Sequence, residues 1–346
     1  MGRVILVAGA SRYLGGRFAR ILTGDPAVDR VIGVDVVPPP HDIGDADFVR
    51  ADIRNPVIAK VIARAGVDTV VHMNVIATPT SAGGRVSMKE INVIGTMQLL
   101  AACQKATSVR RLVVKSTAGV YGSSPRDPAL FTEDTGAKVL PRSGWGKDSV
   151  EVEGYVRGFS RRRPDVDVVT LRLANFVGPG VRTALTDYFS LPVIPTVLGY
   201  DARLQFIHED DGLEALRLAA VGSVTGTINV AGDGVVLLSQ AARMAGRSTI
   251  GIPPMFTDAV GQVFRRSGRL DFTPEQMRFL RFGRGLDTTR MRRVLGLEPK
   301  FTTREAFADF VRGRQLHGPL SADRVDRLES AALDLMRRLE PVGRPG

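Results

Sequence analysis

The residues best spaced for chemistry are Gly9-Ala10-Ser11-Arg12-Tyr13-Leu14-Gly15, which follow the apolar run 4–8 and open a helix-like stretch. A glycine at the strand end allows a tight turn, and one at the helix start lets helix and strand pack closely. The N–H groups of the helix start then face a pyrophosphate. Asp35 ends the next β-like run, where a carboxylate receives ribose hydroxyls. Together these residues imply an NAD site formed by Gly9, Ser11, Arg12, Tyr13, Leu14, Gly15 and Asp35. Arg12 and Tyr13 stand where a middle glycine is usual. The Arg12 guanidinium could pair with a phosphate, including the 2′-phosphate of NADP, whereas Asp35 would repel that group. NAD is therefore favoured and NADP stays open.

Such a loop needs a parallel sheet to hold it. Apolar runs at 4–8, 31–36, 69–72, 111–116 and 168–173 are too continuous for a sheet buried on one face, and they suit strands covered on both. Helical stretches at 15–22, 57–65, 89–106 and 147–163 alternate with them, the signature of βαβ units. The fold expected is α/β, a Rossmann-type doubly wound parallel sheet with a small C-terminal substrate lobe. Its boundaries read as 1–178 for the dinucleotide-binding domain, with later segments returning to it, 179–315 for the lobe and 316–346 for a helical tail. In that tail Val325, Leu328, Ala332, Leu335 and Leu339 share one helical face. A helix docked on its own core is expected there, with a partner-binding helix as the alternative.

Composition narrows the class. A hydrophobic content of 44% is ordinary for a globular chain, and no long uninterrupted apolar stretch or signal-peptide layout occurs. A cytoplasmic protein without a membrane partner is expected. The single cysteine, Cys103, lies in an apolar helical run and reads as packing. The four histidines show no metal-site spacing, so no metal is expected. A net charge of +11 comes mainly from dispersed arginines without a nucleic-acid reader motif. It reads as a solvated basic surface, with attraction of a small anionic substrate as the alternative, rather than as a nucleic-acid site.

Further pieces follow in a fixed order. They are Ala51-Asp52-Ile53-Arg54, Val70-Val71-His72-Met73, Asn92-Val93-Ile94-Gly95-Thr96, Ser116-Thr117-Ala118-Gly119-Val120-Tyr121-Gly122 and Leu171-Arg172-Leu173-Ala174-Asn175-Phe176-Val177-Gly178-Pro179. Phe206-Ile207-His208 and Asp287-Thr288-Thr289-Arg290 come later. From Val4 to about Phe307 the chain resembles the extended short-chain dehydrogenase/reductase family, in its NAD-dependent epimerase/dehydratase group that includes UDP-glucose 4-epimerases.

The resemblance implies hydride transfer between a sugar carbon and nicotinamide. A tyrosine of a Tyr-x-x-x-Lys pair moves the hydroxyl proton, and a Ser or Thr on the preceding strand holds the hydroxyl. By position the holder is Thr117, with Ser116 beside it. Asp52, Ile53 and Asn92 would join the cofactor site, while Asn175, Arg203 and Arg269 would contact a nucleotide-diphosphate substrate. The helix alignment puts Trp145 in the tyrosine slot and Ser149 in the lysine slot. Sliding by two residues recovers Lys147 but puts Ser143 at the tyrosine. An indole nitrogen only donates, so Tyr121 and Lys147 are the substitute proton handlers, with Glu133 and Asp134 nearby in sequence. Ala118 and Gly119 replace the acid pair of dehydratases, which disfavours dehydration. An epimerase-like oxidoreductase acting on a nucleotide sugar or similar anionic alcohol is expected, as a homodimer formed through helices 89–106 and 147–163. The alternative is a catalytically impaired NAD(P)-binding sensor or regulatory protein.

Overall fold

The computed structural model describes residues 2–75, 83–257 and 274–316. Arg269 and the tail stretch 322–339 lie outside them. The first half runs β1 (Arg3–Ala8), α1 (Tyr13–Thr23), β2 (Val28–Asp35), β3 (Asp47–Arg50), α2 (Val57–Ala65) and β4 (Thr69–His72). Then come α3 (Arg85–Lys89), a π-helical turn (Glu90–Gly95), α4 (Thr96–Lys105), β5 (Arg111–Thr117), a 3₁₀ turn (Ala118–Tyr121), α5 (Gly144–Arg162) and β6 (Asp167–Leu173). The remainder comprises β7 (Asn175–Val177), α6 (Ala184–Phe189), β8 (Val193–Val197), β9 (Arg203–Leu204), β10 (Phe206–His208), α7 (Glu209–Val221) and β11 (Gly226–Val230). It ends with β12 (Val236–Leu237), α8 (Leu238–Met244), β13 (Ser248–Ile252), α9 (Pro274–Phe282), α10 (Thr289–Arg293) and α11 (Thr303–Gly313).

The main sheet is parallel, in the order β11-β6-β5-β4-β1-β2-β3. Strand parity explains the continuous apolar runs. Ile5 and Val7 face Phe18 and Leu22 of α1 and Leu213 and Leu216 of α7. Leu6 and Ala8, pointing the other way, meet Ile58 and Ile62 of α2, Leu99 and Cys103 of α4, and Val152 and Val156 of α5. The order reverses at β1, which has β4 on one side and β2 on the other, so a crevice opens beyond the C-terminal ends of these strands. A third core, containing Tyr188, Phe189, Phe206, Phe279, Phe307 and Phe310, fills the smaller lobe.

Two local details depart from the expected pattern. The expected helix 89–106 is interrupted by the π-helical turn, where the Thr96 hydroxyl donates to the Asn92 carbonyl and competes with the regular ladder. The Cys103 thiol is fully buried and is pushed up to about 12 by desolvation, which suits packing and not reactivity.

His72 gives the fold a pH dependence. Its Nε2 lies 2.7 Å from Thr96 Oγ1, whose proton goes to Asn92 O, so Nε2 is the donor and Nδ1 is a buried bare nitrogen. Burial, reinforced by the Lys115 charge, lowers the imidazole from 6.5 to about 4. The unfolded imidazole takes up a proton first as pH falls, so this stability is fully present above about 6.5 and is lost toward 4. The loss is on the order of 3 kcal/mol. Urea unfolding at pH 7 and pH 4.5 should show it, and His72→Gln should remove that part of the slope. An identical slope in the variant would contradict this account.

Candidate active site

The loop after β1 is built around two glycines. Gly9 has φ +97°, a left-handed conformation that side chains resist. A Cβ on Gly15 would lie 2.0 Å from Gly9 O, so only glycine lets α1 start this close to the strand. Arg12, the N-cap of α1, has extended backbone (φ −86°, ψ 150°) that any residue adopts. The middle glycine is thus dispensable for the turn itself. The first helical turn has no side-chain cap and leaves N–H groups for an anion.

Arg12 and Tyr13 point in different directions. Arg12 Nε donates to Asn74 Oδ1 at 3.3 Å, and burial lowers its pKa while the Asp35 carboxylate counteracts the shift. Tyr13 turns toward the smaller lobe. Its hydroxyl donates to Glu209 Oε1 at 3.2 Å and fills the space above Gly180, where a Cβ would come within 2.0 Å of the Tyr13 oxygen. Arg17 joins the same cluster through Glu209 at 3.1 Å and Asp210 at 2.8 Å. Tyr13 therefore ties α1 to α7.

Asp35 ends β2 with Oδ2 accepting the Ser11 N–H at 3.1 Å, and the Ser11 hydroxyl donates to Val37 O. Asp52 is held by Arg54, which lowers its pKa through hydrogen bonds. Ile53 is buried against Gly95, and buried Asn92 donates to Asp148 Oδ2 at 3.3 Å. Glycine cradle, uncapped helix start and Asp35 carboxylate fit the pyrophosphate and ribose of a dinucleotide.

Two chambers adjoin this crevice. The inner one is lined by Leu14, Val75, Lys115, Thr117 and Phe176, among others. The outer one is lined by Gly122, Ser123, Arg278, Phe279 and Arg284, among others. Trp145, Asn175, Leu185 and Gln276 line both. The Trp145 ring packs on Gly119, where a Cβ would meet it at 2.7 Å. Glu275 of α9 accepts from the Arg142 and Ser143 N–H groups at 3.2 and 3.1 Å and from the Ser143 hydroxyl, fixing the start of α5.

The expected site residues divide sharply. Thr117 lines the inner chamber, and its Oγ1 accepts from Gly119 N at 3.0 Å, leaving the hydroxyl proton to donate. Asn175 lies at the junction of the chambers. Ser116 also borders the inner chamber, but strand parity turns its hydroxyl to the far face, where it donates to Glu153 Oε1 at 2.6 Å. Tyr121 lines neither chamber: it is 1% exposed and its hydroxyl is 2.8 Å from Asn229 Oδ1 and 2.9 Å from Arg172 Nη1. Burial raises its pKa, so it is corrected from proton handler to packing residue. Lys147 is also corrected, because it is exposed and 3.9 Å from Glu151, one turn along α5. Glu133 accepts the Asn229 N–H at 2.8 Å and Asp134 pairs with Arg290 at 2.6 Å. Arg203 is exposed on β9 and lines neither chamber, because its strand partner is Leu237 at the lobe surface.

Residues outside that expectation supply the cations. Arg284 donates to Gly122 O at 2.8 Å and Ser123 Oγ at 3.0 Å, and burial pushes it down to about 10. Lys115, two residues before Thr117, enters the inner chamber from the same strand face. Its sequence signal was this parity with Thr117.

Comparison with known proteins agrees with the geometry. A relative from Mycobacterium tuberculosis described as an uncharacterized protein is 48% identical over 340 residues, covering 97% of this chain and 90% of its own. UDP-glucose 4-epimerase of Mycolicibacterium smegmatis is 26% identical over 326 residues, covering 88% and 96%. Among solved structures, UDP-glucose 4-epimerase of Thermotoga maritima with UDP-glucose has a TM-score of 0.69 at 18% identity, covering 90% of this chain and 98% of that one. UDP-glucuronic acid 4-epimerase of Bacillus cereus with UDP-glucuronic acid and NAD also gives 0.69, at 19% identity and 91% and 100% coverage. At these identities the structures show a shared fold. The description matching residues 5–231 spans the glycine loop, Asp35, the Thr117 strand and Asn175, and the chain belongs to the NAD dependent epimerase/dehydratase family.

Proposed function

We propose that the chain is an NAD-dependent oxidoreductase of epimerase type that moves a hydride to and from a carbinol carbon of a nucleotide sugar or similar anionic alcohol. The observation carrying this reading is the continuity of the two chambers: Asn175 and Trp145 line both, with Thr117 in the inner one and Arg278 and Arg284 in the outer. Gly9, Ser11, Gly15, Arg12 and Asp35 would hold the dinucleotide, which when bound supplies a hydride acceptor. Thr117 would donate to the substrate oxygen and orient the reacting carbon. Arg278 and Arg284 would face diphosphate oxygens, which supports a substrate lobe drawn from 179–315.

The helix pair α4 and α5, with the adjoining π-helical turn, is the homodimer face in this reading. Ile94, Met97 and Tyr155 there are exposed at 46%, 45% and 38%. A cytoplasmic enzyme is proposed; no helix of the described residues is long and apolar enough to cross a membrane.

The test pairs cofactor titration with a nucleotide-sugar panel. NAD should bind at least about tenfold more tightly than NADP, a difference of ~1.4 kcal/mol set by Asp35. Asp35→Ala should erase that preference. A substrate from the panel should reduce bound NAD or undergo 4-epimerisation. Tight NAD binding with no turnover on any panel member would favour the second reading, a cofactor sensor without chemistry. The indole of Trp145 in the tyrosine slot motivates that alternative.

A further inference from the structure

We propose that Lys115 is the proton-accepting catalytic residue of the inner chamber, acting beside Thr117 in place of a tyrosine. The inference rests on the hydride-transfer reading above. Lys115 and Thr117 are two residues apart on β5 and project from one face, about 7 Å apart along the strand. Both line the chamber with Leu14, Trp145 and Phe176. That places Lys115 between the cofactor loop and the chamber wall shared with the substrate side.

The surroundings give the amine no anion among the described residues. Among the described residues no carboxylate pairs with Lys115; its nearest aromatic contact is the Phe176 ring, 5.6 Å from Nζ to the centroid. The charged or titratable groups bearing on it, among the described residues, are Arg12, before α1, and His72, on β4. Arg12 is cationic and His72 is neutral at pH 7, so neither stabilises an ammonium. Burial first and Arg12 second lower the Lys115 pKa from 10.5 to about 8. A substantial neutral fraction then exists near physiological pH, as a general base requires. Below about pH 8 the ammonium has no lone pair, so the oxidation direction slows as pH falls.

The step balances without another reagent. The alcohol O–H proton would pass to the Lys115 lone pair and the carbinol would become a carbonyl, with oxidised nicotinamide, when bound, supplying the acceptor for the C–H hydrogen and its electron pair. Reversal returns the proton from the ammonium to the carbonyl oxygen. Thr117, held by Gly119 N–H, keeps donating to that oxygen throughout.

The experiment uses the full chain and has two independent readouts. Acetic anhydride labelling followed by mass spectrometry should give Lys115 a pH midpoint near 8. Saturating NAD should slow its labelling about tenfold relative to Lys60, which is exposed on α2. Lys115→Met should lower kcat at least about 100-fold with KM within about threefold, while Tm holds or rises because an unpaired buried charge is removed. Lys115→Arg should fail equally, since guanidinium keeps the charge but cannot take the proton. A labelling midpoint above 10, no protection by NAD, or turnover in either variant within about threefold of wild type would overturn the assignment. If wild type turns over nothing in the panel, the nucleotide-sugar reading alone falls. Labelling then decides Lys115: a midpoint near 8 with NAD protection supports it, and either opposite result overturns it.

Discussion

Gly15→Ala is expected to weaken NAD binding about 100-fold, ~2.7 kcal/mol, in a protein that still folds. The added Cβ would lie 2.0 Å from Gly9 O and 2.8 Å from Gly9 C. Both are backbone atoms of the turn, so no side chain can swing aside. Either α1 withdraws from β1 or the Gly9 turn opens, and both move the first-turn N–H groups away from a pyrophosphate. Overpacking of this kind costs about 1–3 kcal/mol in stability as well. Gly24→Ala is the control: its Cβ would be 3.7 Å from the nearest atom and its φ is −91°. That variant should lie within about 0.5 kcal/mol of wild type. Calorimetric NAD titrations of both variants decide the matter, and unchanged affinity in Gly15→Ala would remove the loop from the cofactor site.

The legible parts of the molecule are those where one local rule suffices. The run Val70-Val71 and the helix Val57–Ala65 follow from apolar continuity and helical period, and the glycine loop follows from turn geometry. The strand Asp47–Arg50 escaped notice because it is a four-residue edge strand with charged, exposed ends. Its place in the sheet comes from pairing with β2. The site was harder, because neighbours in sequence part company in space. Ser116 and Thr117 go to opposite faces of one strand, and the 3₁₀ turn after them rotates Tyr121 inward against Phe131, 4.6 Å between ring centroids. Lys147, only two residues from Trp145, is carried around α5 into solvent. Conversely, Arg284 reaches the outer chamber from far along the chain, which no local pattern foretells.

The network on the far side of β5 should carry the largest single-residue cost in stability. Arg172 of β6 grips Glu153 of α5 through two bonds, Nη2 to Oε2 at 2.7 Å and Nε to Oε1 at 3.1 Å. The side chains are only 13% and 6% exposed. Ser116 donates to the same carboxylate, and Arg172 also reaches the Tyr121 hydroxyl and Glu133 O. Glu153→Ala would strand a buried guanidinium and orphan the Ser116 hydroxyl, at a cost of about 3–5 kcal/mol by urea unfolding. Glu153→Leu with Arg172→Met removes both charges and should recover most of that loss, because the pair's own desolvation disappears with it. Recovery of stability without recovery of turnover would show that the pair also positions the chamber, since it locks α5, whose first turn carries Trp145, onto β6, the neighbour of the strand bearing Lys115 and Thr117. A Glu153→Ala variant as stable as wild type would mean that the guanidinium finds water or another acceptor, and the network would then hold neither the fold nor the site.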